Sequence, residues 1–319
     1  MKKIVITGGA GFVGSHICES FLNNFPKCKI IIIDKLTYAG KKIYLKNVKK
    51  FKNVKFYKKN ILNHKSYDHL LKNVDLAINV AAESHVDVSF NSPLLFSYTN
   101  TVGAHTFLLK CIEKKVKKII HISSDEVYGE KQKGFCTENS KINPTNPYSA
   151  SKAAAEIFIN SYIYSYKKEI IIVRANNIYG IRQYPEKLIP RCIVSLLRGQ
   201  TIPIHGNGEN IRFFLSAIDF ANAIVLLAKK VKSGIYNIGS KNYFSNNEIA
   251  SLICDYMHKN KKKYLKYVKD RPYNDKRYSV SSKKINSLGW EPKNKLIKDL
   301  PEIINWYKKN LKLYDKAKW

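Results

Sequence analysis

The sequence predicts an α/β fold in which a doubly wound parallel sheet comes first and a smaller, less regular domain follows. Short apolar runs alternate with helical patterns, which is typical of such a sheet. A glycine-rich turn lies between the first apolar run and a helix. A polar stretch, residues 121–129, follows an apolar run near the middle of the chain. Because ligands bind beyond the carboxyl ends of parallel strands, this stretch marks the expected site.

The composition is that of a globular protein with a lysine-rich surface. The chain has 319 residues, 45% of them hydrophobic, which is enough for a sizeable core. The formal net charge of +32 would ordinarily suggest a nucleic-acid partner. The lysines are spread along the whole length, however, together with the Asn, Ile, Tyr and Phe that AT-rich coding supplies. We therefore interpret them as a solvated surface that tolerates anionic substrates, and predict no nucleic-acid partner.

Cysteine, histidine and hydropathy patterns exclude several classes of protein. The six cysteines lack paired spacing, so we predict buried free thiols in a reducing compartment. The eight histidines form no zinc-type pair, and no metal is predicted. No apolar run approaches the roughly 18 residues of a membrane helix. Glycines interrupt the apolar start that would resemble a signal peptide. We expect a cytoplasmic protein without a membrane partner.

A dinucleotide-binding turn is predicted at residues 8–14, which read GGAGFVG. The strand at 3–7 precedes it and a helical pattern follows, so the glycines let the backbone approach a pyrophosphate at a helix N-terminus. The next strand, 29–33, ends in Asp34. An acidic residue there can accept ribose hydroxyls and favours NAD over its 2′-phosphorylated relative. The neighbouring Lys35 is a cation compatible with the extra phosphate.

Four later apolar runs continue the predicted sheet, at residues 54–57, 76–80, 118–122 and 170–173. We assign residues 1–175 to a Rossmann-type NAD-binding domain, to which a segment of about 210–240 returns. Residues 176–319 are assigned mainly to a substrate-binding domain. The later region carries cations near turns, and converging arginines suggest a diphosphate ligand.

Ser124, Asp125 and Glu126 follow the run at 118–122. Inside a regular strand the two carboxylates would point to opposite faces. Both can serve one site only if the strand ends there, as Gly129 and the polar residues after it indicate. The alternative is a polar strand end capped by a turn.

The next helix is predicted to begin after Asn146, with Tyr148 and Lys152 one turn apart on the same face. The same spacing occurs at Tyr38 and Lys42, but only the copy at 148 opens a helix beyond the polar end of a core strand. The alternative is an exposed aromatic residue at a helix start. The stripe expected to pack on the sheet consists of Ala150, Ala153, Ala154 and Ile157.

Two local predictions concern the C-terminal part. Ser245 and Glu248 have the spacing of a capping box for a helix that runs to about Met257. The lysine-rich tail after about Leu311 is expected to fray.

Taken together, these motifs resemble the sugar-nucleotide 4,6-dehydratases of the extended short-chain dehydrogenase/reductase family, typified by the dTDP-glucose enzymes. The likeness runs from Gly8 to Pro292. The matching stretches are 34–40 (DKLTYAG), 81–87 (AAESHVD), 124–129 (SDEVYG), Tyr148 with Lys152, 185–190 (PEKLIP) and 271–275 (RPYND). The Ser-Asp-Glu triplet is the most specific, because simple epimerases and reductases of the superfamily generally lack its adjacent carboxylates.

The resemblance implies a three-step reaction. Tyr148, assisted by Lys152 and Ser124, removes the proton of the sugar 4-hydroxyl while hydride passes from C4 to NAD. Glu126 then takes the C5 proton, and protonated Asp125 gives one to the departing 6-hydroxyl. Hydride finally returns to C6. Two adjacent carboxyl groups with opposite duties need separated pKa values.

The resemblance also implies binding residues and an assembly state. For NAD it indicates Gly8, Gly11, Phe12, Val13, Asp34, Lys35, Leu36, Thr37, Asn60, Ile61, Ala81, Ala82, Thr99, Tyr148 and Lys152. For the substrate it indicates Ser84, Asn177, Lys187, Leu188, Arg191, Arg212, Asn246 and Arg271. Helices near 93–113 and 148–165 are expected to join a homodimer.

The chain departs from the family pattern at four places, three of which are expected in or near the substrate pocket. They are Val88 for arginine, Asn60 for aspartate, Phe213-Phe214 for Asp-Trp and Asn274 for histidine. We therefore hypothesise that UDP-glucose or UDP-N-acetylglucosamine replaces dTDP-glucose, with inversion at C5 left open. The alternatives are a UDP-sugar 4-epimerase or decarboxylase, a noncatalytic NAD-binding regulator and a basic nucleic-acid binder.

Overall fold

A computed structural model describes residues 1–270 and 272–317, in which the chain forms twelve strands and twelve α-helices. The strands are β1 (Lys3–Thr7), β2 (Lys29–Asp34), β3 (Val54–Lys58), β4 (Leu76–Asn79), β5 (Lys118–Ile122), β6 (Ile170–Ala175), β7 (Asn177–Tyr179), β8 (Ile202–His205), β9 (Ile211–Ser216), β10 (Gly234–Ile238), β11 (Tyr243–Ser245) and β12 (Leu265–Val268). The helices are α1 (Phe12–Asn24), α2 (Lys46–Lys49), α3 (Val86–Asn91), α4 (Pro93–Phe96), α5 (Ala104–Glu113), α6 (Pro147–Tyr166), α7 (Leu188–Leu197), α8 (Ala217–Lys230), α9 (Asn246–Tyr256), α10 (Lys261–Tyr264), α11 (Lys283–Asn286) and α12 (Leu296–Lys309).

The main sheet has seven parallel strands in the order β10-β6-β5-β4-β1-β2-β3. Strands β2 and β3 extend the sheet on one side of β1, whereas β4, β5, β6 and β10 extend it on the other side. This reversal is the arrangement at which α/β proteins bind ligands. The predicted doubly wound parallel sheet is confirmed.

Side chains of alternate residues in each strand pack against the helices on opposite faces of the sheet. In β2, for example, Ile30 and Ile32 pack in a core with α1 and α8, while Ile31 and Ile33 pack on the opposite face with α5 and α6. Strands buried on both faces must be apolar throughout, which explains why their sequences read as continuous runs rather than as an alternation.

A second core lies beyond the main sheet. It is formed by α7, α9 and α12 with the short sheets β11-β9-β7 and β12-β8. The segment from α8 to β10 returns to the main sheet, where β10 pairs with β6 and Phe220 joins the core containing α1. The two cores support a division of the chain near residue 175, which remains a prediction.

The stripe predicted for α6 is wrong in two of its four members. Ala150 is exposed and 65% of Ile157 is exposed. The buried face instead carries Lys152, Glu156 and Ile159. The cause is Arg174 of β6, which lies inside the fold and requires Glu156 as its carboxylate partner, with Arg174 Nε 3.0 Å from Oε2. Pairing a buried charge outweighs apolar patterning here.

Residues 311–317 of the C-terminal tail pack on the fold, contrary to the expected fraying. Tyr314, in a 3-10 turn at Leu311–Tyr314, is only 1% exposed. Its hydroxyl lies 2.8 Å from that of Tyr44, and its ring contacts Trp306. Aromatic burial therefore holds the tail, although its composition is lysine-rich.

Other predictions from composition can be checked directly. All six cysteines are free and buried, as predicted, and the capping box of α9 forms between Ser245 and Glu248. Among residues 1–270 and 272–317, no helix has both the length and the apolarity of a membrane span. The same residues contain no group of three potential metal ligands.

Candidate active site

A cavity of about 280 Å³ runs along the carboxyl edge of the main sheet. Residues that follow β1, β2, β3, β4 and β5 line it in spatial order, together with the start of α6. All five predicted catalytic residues lie here, as do fifteen other residues predicted for NAD or substrate. The catalytic residues are Ser124, Asp125, Glu126, Tyr148 and Lys152, and the others are Gly8, Gly11, Phe12, Val13, Asp34, Lys35, Thr37, Asn60, Ile61, Ala81, Ala82, Ser84, Thr99, Asn177 and Lys187.

The glycine turn after β1 leaves backbone where side chains would collide. Gly8 has φ +67°, and a Cβ there would lie 2.6 Å from the Ala81 nitrogen. A Cβ on Gly14 would overlap the Gly8 carbonyl. Helix α1 begins after Gly11 with no side chain capping its first N–H groups. Free N–H groups at a helix start, reached through a side-chain-free turn, fit the pyrophosphate of a dinucleotide.

Asp34 closes β2 beside this turn. Its Oδ2 accepts from the Ala10 N–H at 3.0 Å and its Oδ1 from the Leu36 N–H at 2.7 Å, so the carboxylate is held rigidly. Burial raises the pKa of Asp34 while these N–H groups lower it. Leu36 has φ 58° and packs against the hydrophobic core. Leu36 is the one residue predicted for NAD that does not line the cavity.

The chain turns immediately after β5, which is the condition under which Asp125 and Glu126 can both face one site. A 3-10 turn spans Asp125–Tyr128, and the Ser124 hydroxyl accepts from the Glu126 N–H at 3.2 Å. Asp125 and Glu126 consequently line one cavity instead of opposite faces of a strand. The predicted strand end is confirmed.

The two carboxyl groups have different surroundings. Asp125 is 3% exposed, and its Oδ2 accepts from Asn176 Nδ2 at 2.8 Å. Burial raises its pKa to about 7, with a further contribution from the charge of Glu126. Burial also raises the pKa of Glu126, opposed by Lys187 and by the amide of Asn146 at 3.2 Å. Near neutral pH Asp125 is therefore about half protonated, which suits a proton donor.

Tyr148 and Lys152 reach the same place from α6. Asn146 caps this helix through a capping box with Ser149, so Tyr148 sits in the first turn. Lys152 Nζ donates to the Ile122 carbonyl at 2.5 Å, and burial lowers the pKa of Lys152 to about 8. Burial and the charge of Glu126 raise the pKa of Tyr148, while a hydrogen bond with Ser124 lowers it.

A second cavity, of about 140 Å³, joins the first at Glu126, Asn177 and Lys187. It brings together six residues predicted for the substrate, namely Asn177, Lys187, Leu188, Arg191, Arg212 and Asn246. The seventh, Ser84, lies in the first cavity, where its carbonyl accepts from Lys187 Nζ at 2.5 Å. The eighth, Arg271, lies outside the described residues.

Several lining residues were not predicted. Asn176 holds Asp125, and Asp275 accepts from the hydroxyls of Tyr278 and Thr145, the latter at 2.9 Å. Tyr278 and Asp275 line the second cavity. Asn176 precedes the predicted Asn177, and Asp275 ends the motif at 271–275, so sequence signals existed for both. Tyr278 carried none, because single tyrosines are common in this chain.

The arrangement as a whole can move protons at three positions. It combines a phenol and an ammonium group one helical turn apart, a carboxyl group that is about half protonated at neutral pH, and a second carboxyl group that follows it in the chain. The glycine turn and Asp34 fit a dinucleotide at one end, and cationic side chains lie at the other. Such a site suits oxidation of an alcohol coupled to acid–base chemistry on an anionic substrate.

Comparison with known proteins places the sequence among nucleotide-sugar enzymes. Residues 5–302 match the family described as GDP-mannose 4,6 dehydratase. Human dTDP-D-glucose 4,6-dehydratase is 38% identical over 317 residues, covering 97% of this chain and 91% of that protein. A trifunctional UDP-glucose 4,6-dehydratase/3,5-epimerase/reductase of Arabidopsis thaliana is also 38% identical over 97% of this chain. The chain spans about half of that plant protein, 47%.

Solved structures give the same result. The dTDP-glucose 4,6-dehydratase of Streptomyces venezuelae, solved with NAD bound, superposes with a TM-score of 0.96 at 34% identity, covering 99% of this chain and 100% of the other. The UDP-glucose 4-epimerase of Thermotoga maritima is more distant, with a TM-score of 0.88 at 28% identity, covering 97% of this chain and 99% of the other.

Proposed function

Because the chain belongs to the GDP-mannose 4,6-dehydratase family of extended short-chain dehydrogenases/reductases, we propose that it is an NAD-dependent nucleotide-sugar 4,6-dehydratase. This lyase converts a nucleoside-diphosphate hexose to its 4-keto-6-deoxy derivative. The single observation that carries the proposal is the pair Asp125 and Glu126 in one cavity with Tyr148 and Lys152. Oxidation of an alcohol needs only the last two, whereas removal of water needs an acid and a base as well.

The residues at the dinucleotide end fit NAD. The backbone turn at Gly8, the uncapped start of α1 and the rigid carboxylate of Asp34 match pyrophosphate and ribose. NAD held by these residues would supply the hydride acceptor for sugar C4 and the hydride donor for C6, and its positive charge would favour the Tyr148 phenolate.

Proton transfer at the 4-hydroxyl falls to Tyr148. Its raised pKa keeps the phenol protonated before the ligands bind, and the carboxylates nearby disfavour ionisation. Lys152, held by the Ile122 carbonyl, supplies the positive charge that the protein itself brings to the phenolate. Ser124 hydrogen-bonds the phenol, as its effect on the pKa of Tyr148 indicates.

Elimination of water falls to the carboxyl pair. The 4-ketone acidifies C5, and Glu126, held by Asn146, is the base that takes the C5 proton. Asp125, whose pKa of about 7 keeps about half of it protonated at neutral pH and most of it at lower pH, donates to the leaving 6-hydroxyl. The Asn176 amide fixes the orientation of Asp125. The roles of these residues, like the NAD and substrate contacts given above, are proposals.

The sugar nucleotide is proposed to lie across both cavities, with its diphosphate near Arg191 and Arg212. Candidates are UDP-N-acetylglucosamine, UDP-glucose and dTDP-glucose, and the first two are favoured by the departures from the dTDP-glucose pattern. Phe214 and Asn274 line the second cavity, and Arg212 donates to Asn274 Oδ1 at 3.0 Å. Val88, by contrast, is 37% exposed on α3 and lines neither cavity, so its replacement carries no weight in this argument.

The test is to incubate the purified protein separately with each of the three sugar nucleotides and analyse the products by mass spectrometry. A product lighter by one water from any of them supports the proposal and identifies the substrate. Efficient reaction of dTDP-glucose alone would overturn the preference for a UDP-sugar. Unchanged mass with all three would favour a 4-epimerase, and loss of carbon dioxide from a UDP-uronic acid would favour a decarboxylase. Retention of NAD without turnover would favour a regulator.

A homodimer and a cytoplasmic location complete the proposal. Exposed apolar side chains cluster on α6 and on the helical stretch from α4 through the π-helical turn Ser97–Gly103 to α5. They are Leu94, Leu95, Tyr98, Val102, Ile157 and Phe158. Such a patch is typical of a subunit interface. Light scattering on the protein and on Tyr98→Asp tests it, with a dimer expected for the first and a monomer for the second.

A further inference from the structure

Two side chains that line the first cavity form an ion pair there. Lys35 follows β2 and Glu83 follows β4, and β1 lies between these two strands. The Lys35 ammonium nevertheless contacts Glu83 Oε1 at 3.1 Å. The ion pair therefore spans the carboxyl end of β1, where the glycine turn lies. We call Lys35 and Glu83 the clasp.

The two members of the clasp differ in mobility. Glu83 is anchored, because its N–H donates to Asn100 Oδ1 at 2.8 Å and its carbonyl accepts from Asn100 Nδ2 at 2.9 Å. The Glu83 side chain is 10% exposed, whereas that of Lys35 is 32% exposed. Lys35 is thus the outer, solvent-facing member on a flexible stem. The clasp can open by movement of the lysine alone.

The position of the clasp matters for a long ligand. A dinucleotide that extends from Asn60, after β3, to Tyr148 at the β5 side crosses the end of β1. It must therefore pass between the glycine turn and the clasp. Resting on the proposed NAD dependence, we infer that the clasp retains NAD by closing over it, so that Lys35 and Glu83 act chiefly on the rate of release.

A second contact holds the same loop from the other side of the cleft. The hydroxyl of Tyr38 hydrogen-bonds to Glu186, and its ring lies edge-on against Tyr184 at 4.9 Å. Both partners belong to the loop between β7 and α7 and line the first cavity. The loop after β2 is thereby tied to both sides of the cleft. This contact is expected to support the clasp, and Tyr38→Phe should have the smaller effect.

Retention suits this reaction. Hydride leaves C4 and returns to C6 within one turnover, so the cofactor is regenerated without exchange. Release of the reduced form between these steps would leave the enzyme unable to finish. A device that slows release is accordingly useful in this chemistry, whereas an enzyme that must exchange its cofactor at every turnover would be slowed by it.

The experiment measures exchange of bound NAD with isotopically labelled NAD, followed by rapid desalting and mass spectrometry of the nucleotide. Lys35→Met and Glu83→Gln should each exchange about two- to fivefold faster than the unmodified protein, as loss of a partly screened ion pair implies. Lys58→Met, which removes an exposed lysine at the end of β3, is the matched control and should exchange at the unmodified rate. The reciprocal swap Lys35→Glu with Glu83→Lys should restore slow exchange.

The salt dependence of NAD exchange is a second readout, and it does not require the doubly substituted protein to fold. Raising the ionic strength should speed exchange in the unmodified protein and leave Lys35→Met nearly unchanged. Equal exchange rates in the unmodified protein, Lys35→Met and Glu83→Gln would overturn the clasp. A purified protein that binds no NAD at all would instead overturn the proposed cofactor, so the two failures are distinguishable.

Discussion

The two cavities of the cleft are built in different ways. The first is lined by residues that directly follow strands of one regular sheet, so neighbouring strand ends supply neighbouring groups. The second is assembled from α3, α7, β8, β9, the start of α9 and the segment around Tyr278, which are far apart in sequence. Regular topology thus arranges the residues of the proposed chemistry, whereas irregular tertiary packing arranges those of the proposed substrate contacts. Substitutions should separate the two roles.

The largest effect is expected at Tyr148. Tyr148→Phe removes the hydroxyl that accepts the proton of the 4-hydroxyl, and we expect a loss of about 10²–10⁴ in kcat or more, with NAD still bound. Steady-state assays with nucleotide analysis measure both. Tyr164→Phe, on an 83% exposed residue of the same helix, is the control and should be fully active. Activity of Tyr148→Phe within tenfold of the unmodified protein would contradict the assignment.

Glu126→Gln should come next, with a loss of about 10²–10⁴ in water elimination. The amide keeps the shape of the side chain but cannot take the C5 proton. Oxidation at C4 should continue, so reduced cofactor should accumulate and be visible by its absorbance. A 4-epimerase, in contrast, would lose little. Full dehydratase activity in this variant would remove the base from the mechanism.

Arg212 tests the second cavity. Arg212→Gln should raise KM by about 10- to 100-fold, because one charged contact to a diphosphate is lost. A smaller change is expected in kcat, although Arg212 also lowers the pKa values of Asp125 and Glu126. A fall in kcat alone, with unchanged KM, would break the proposed division between the two cavities.

The pH dependence of the elimination rate tests the first cavity through a smaller effect. Asp125 acts when protonated, and burial raises its pKa to about 7. The rate of elimination should therefore be high below that pH and fall several-fold as the pH rises through it. Pre-steady-state rates between pH 6 and 8.5 measure this, with Asp125→Asn expected to be slow and flat across the range. A rate that rises through pH 7 would assign Asp125 the opposite role.

The same shift affects folding stability in a calculable direction. The unfolded Asp125 ionises near pH 3.9, and the folded one near 7. Between these values the unfolded state releases the proton first, so the contribution of this group to stability falls as the pH rises. Asp125→Asn should consequently raise the Tm at pH 8 more than at pH 4, as thermal unfolding can measure. Equal changes in Tm at the two pH values would contradict burial as the cause.

Much of the first cavity was predictable from the sequence because its signals are local. Gly8 and Asp34 are recognisable beside short apolar strands, and the turn at Gly129 places both carboxylates in one site. The clasp was not predictable, since the distance between Lys35 and Glu83 depends on the order of β2, β1 and β4. That order is a tertiary property.

Other predictions were wrong where buried polar or aromatic contacts outweigh the hydrophobic pattern of the sequence. The orientation of α6 follows the pairing of Glu156 with Arg174, which no helical periodicity reveals. Tyr314 anchors a lysine-rich tail through contacts with Tyr44 and Trp306, which are distant in sequence. In the second cavity the resemblance implied six lining residues, whereas the residues themselves pointed only to cations near turns. Tyr278 and Asp275 meet there because the segment carrying them crosses beside β9, through an isolated bridge between Ile211 and Arg277.

The central claim is that water is eliminated between two hydride transfers. The most direct measurement is to run the reaction in ²H₂O on the sugar nucleotide that proves active and analyse the product by mass spectrometry and NMR. We expect loss of one water and gain of one deuterium at C5, because Glu126 removes a proton there and solvent replaces it. The hydrogen originally on C4 should appear at C6. A product of unchanged mass without deuterium at C5 would contradict the account and leave epimerisation at C4 as the reaction.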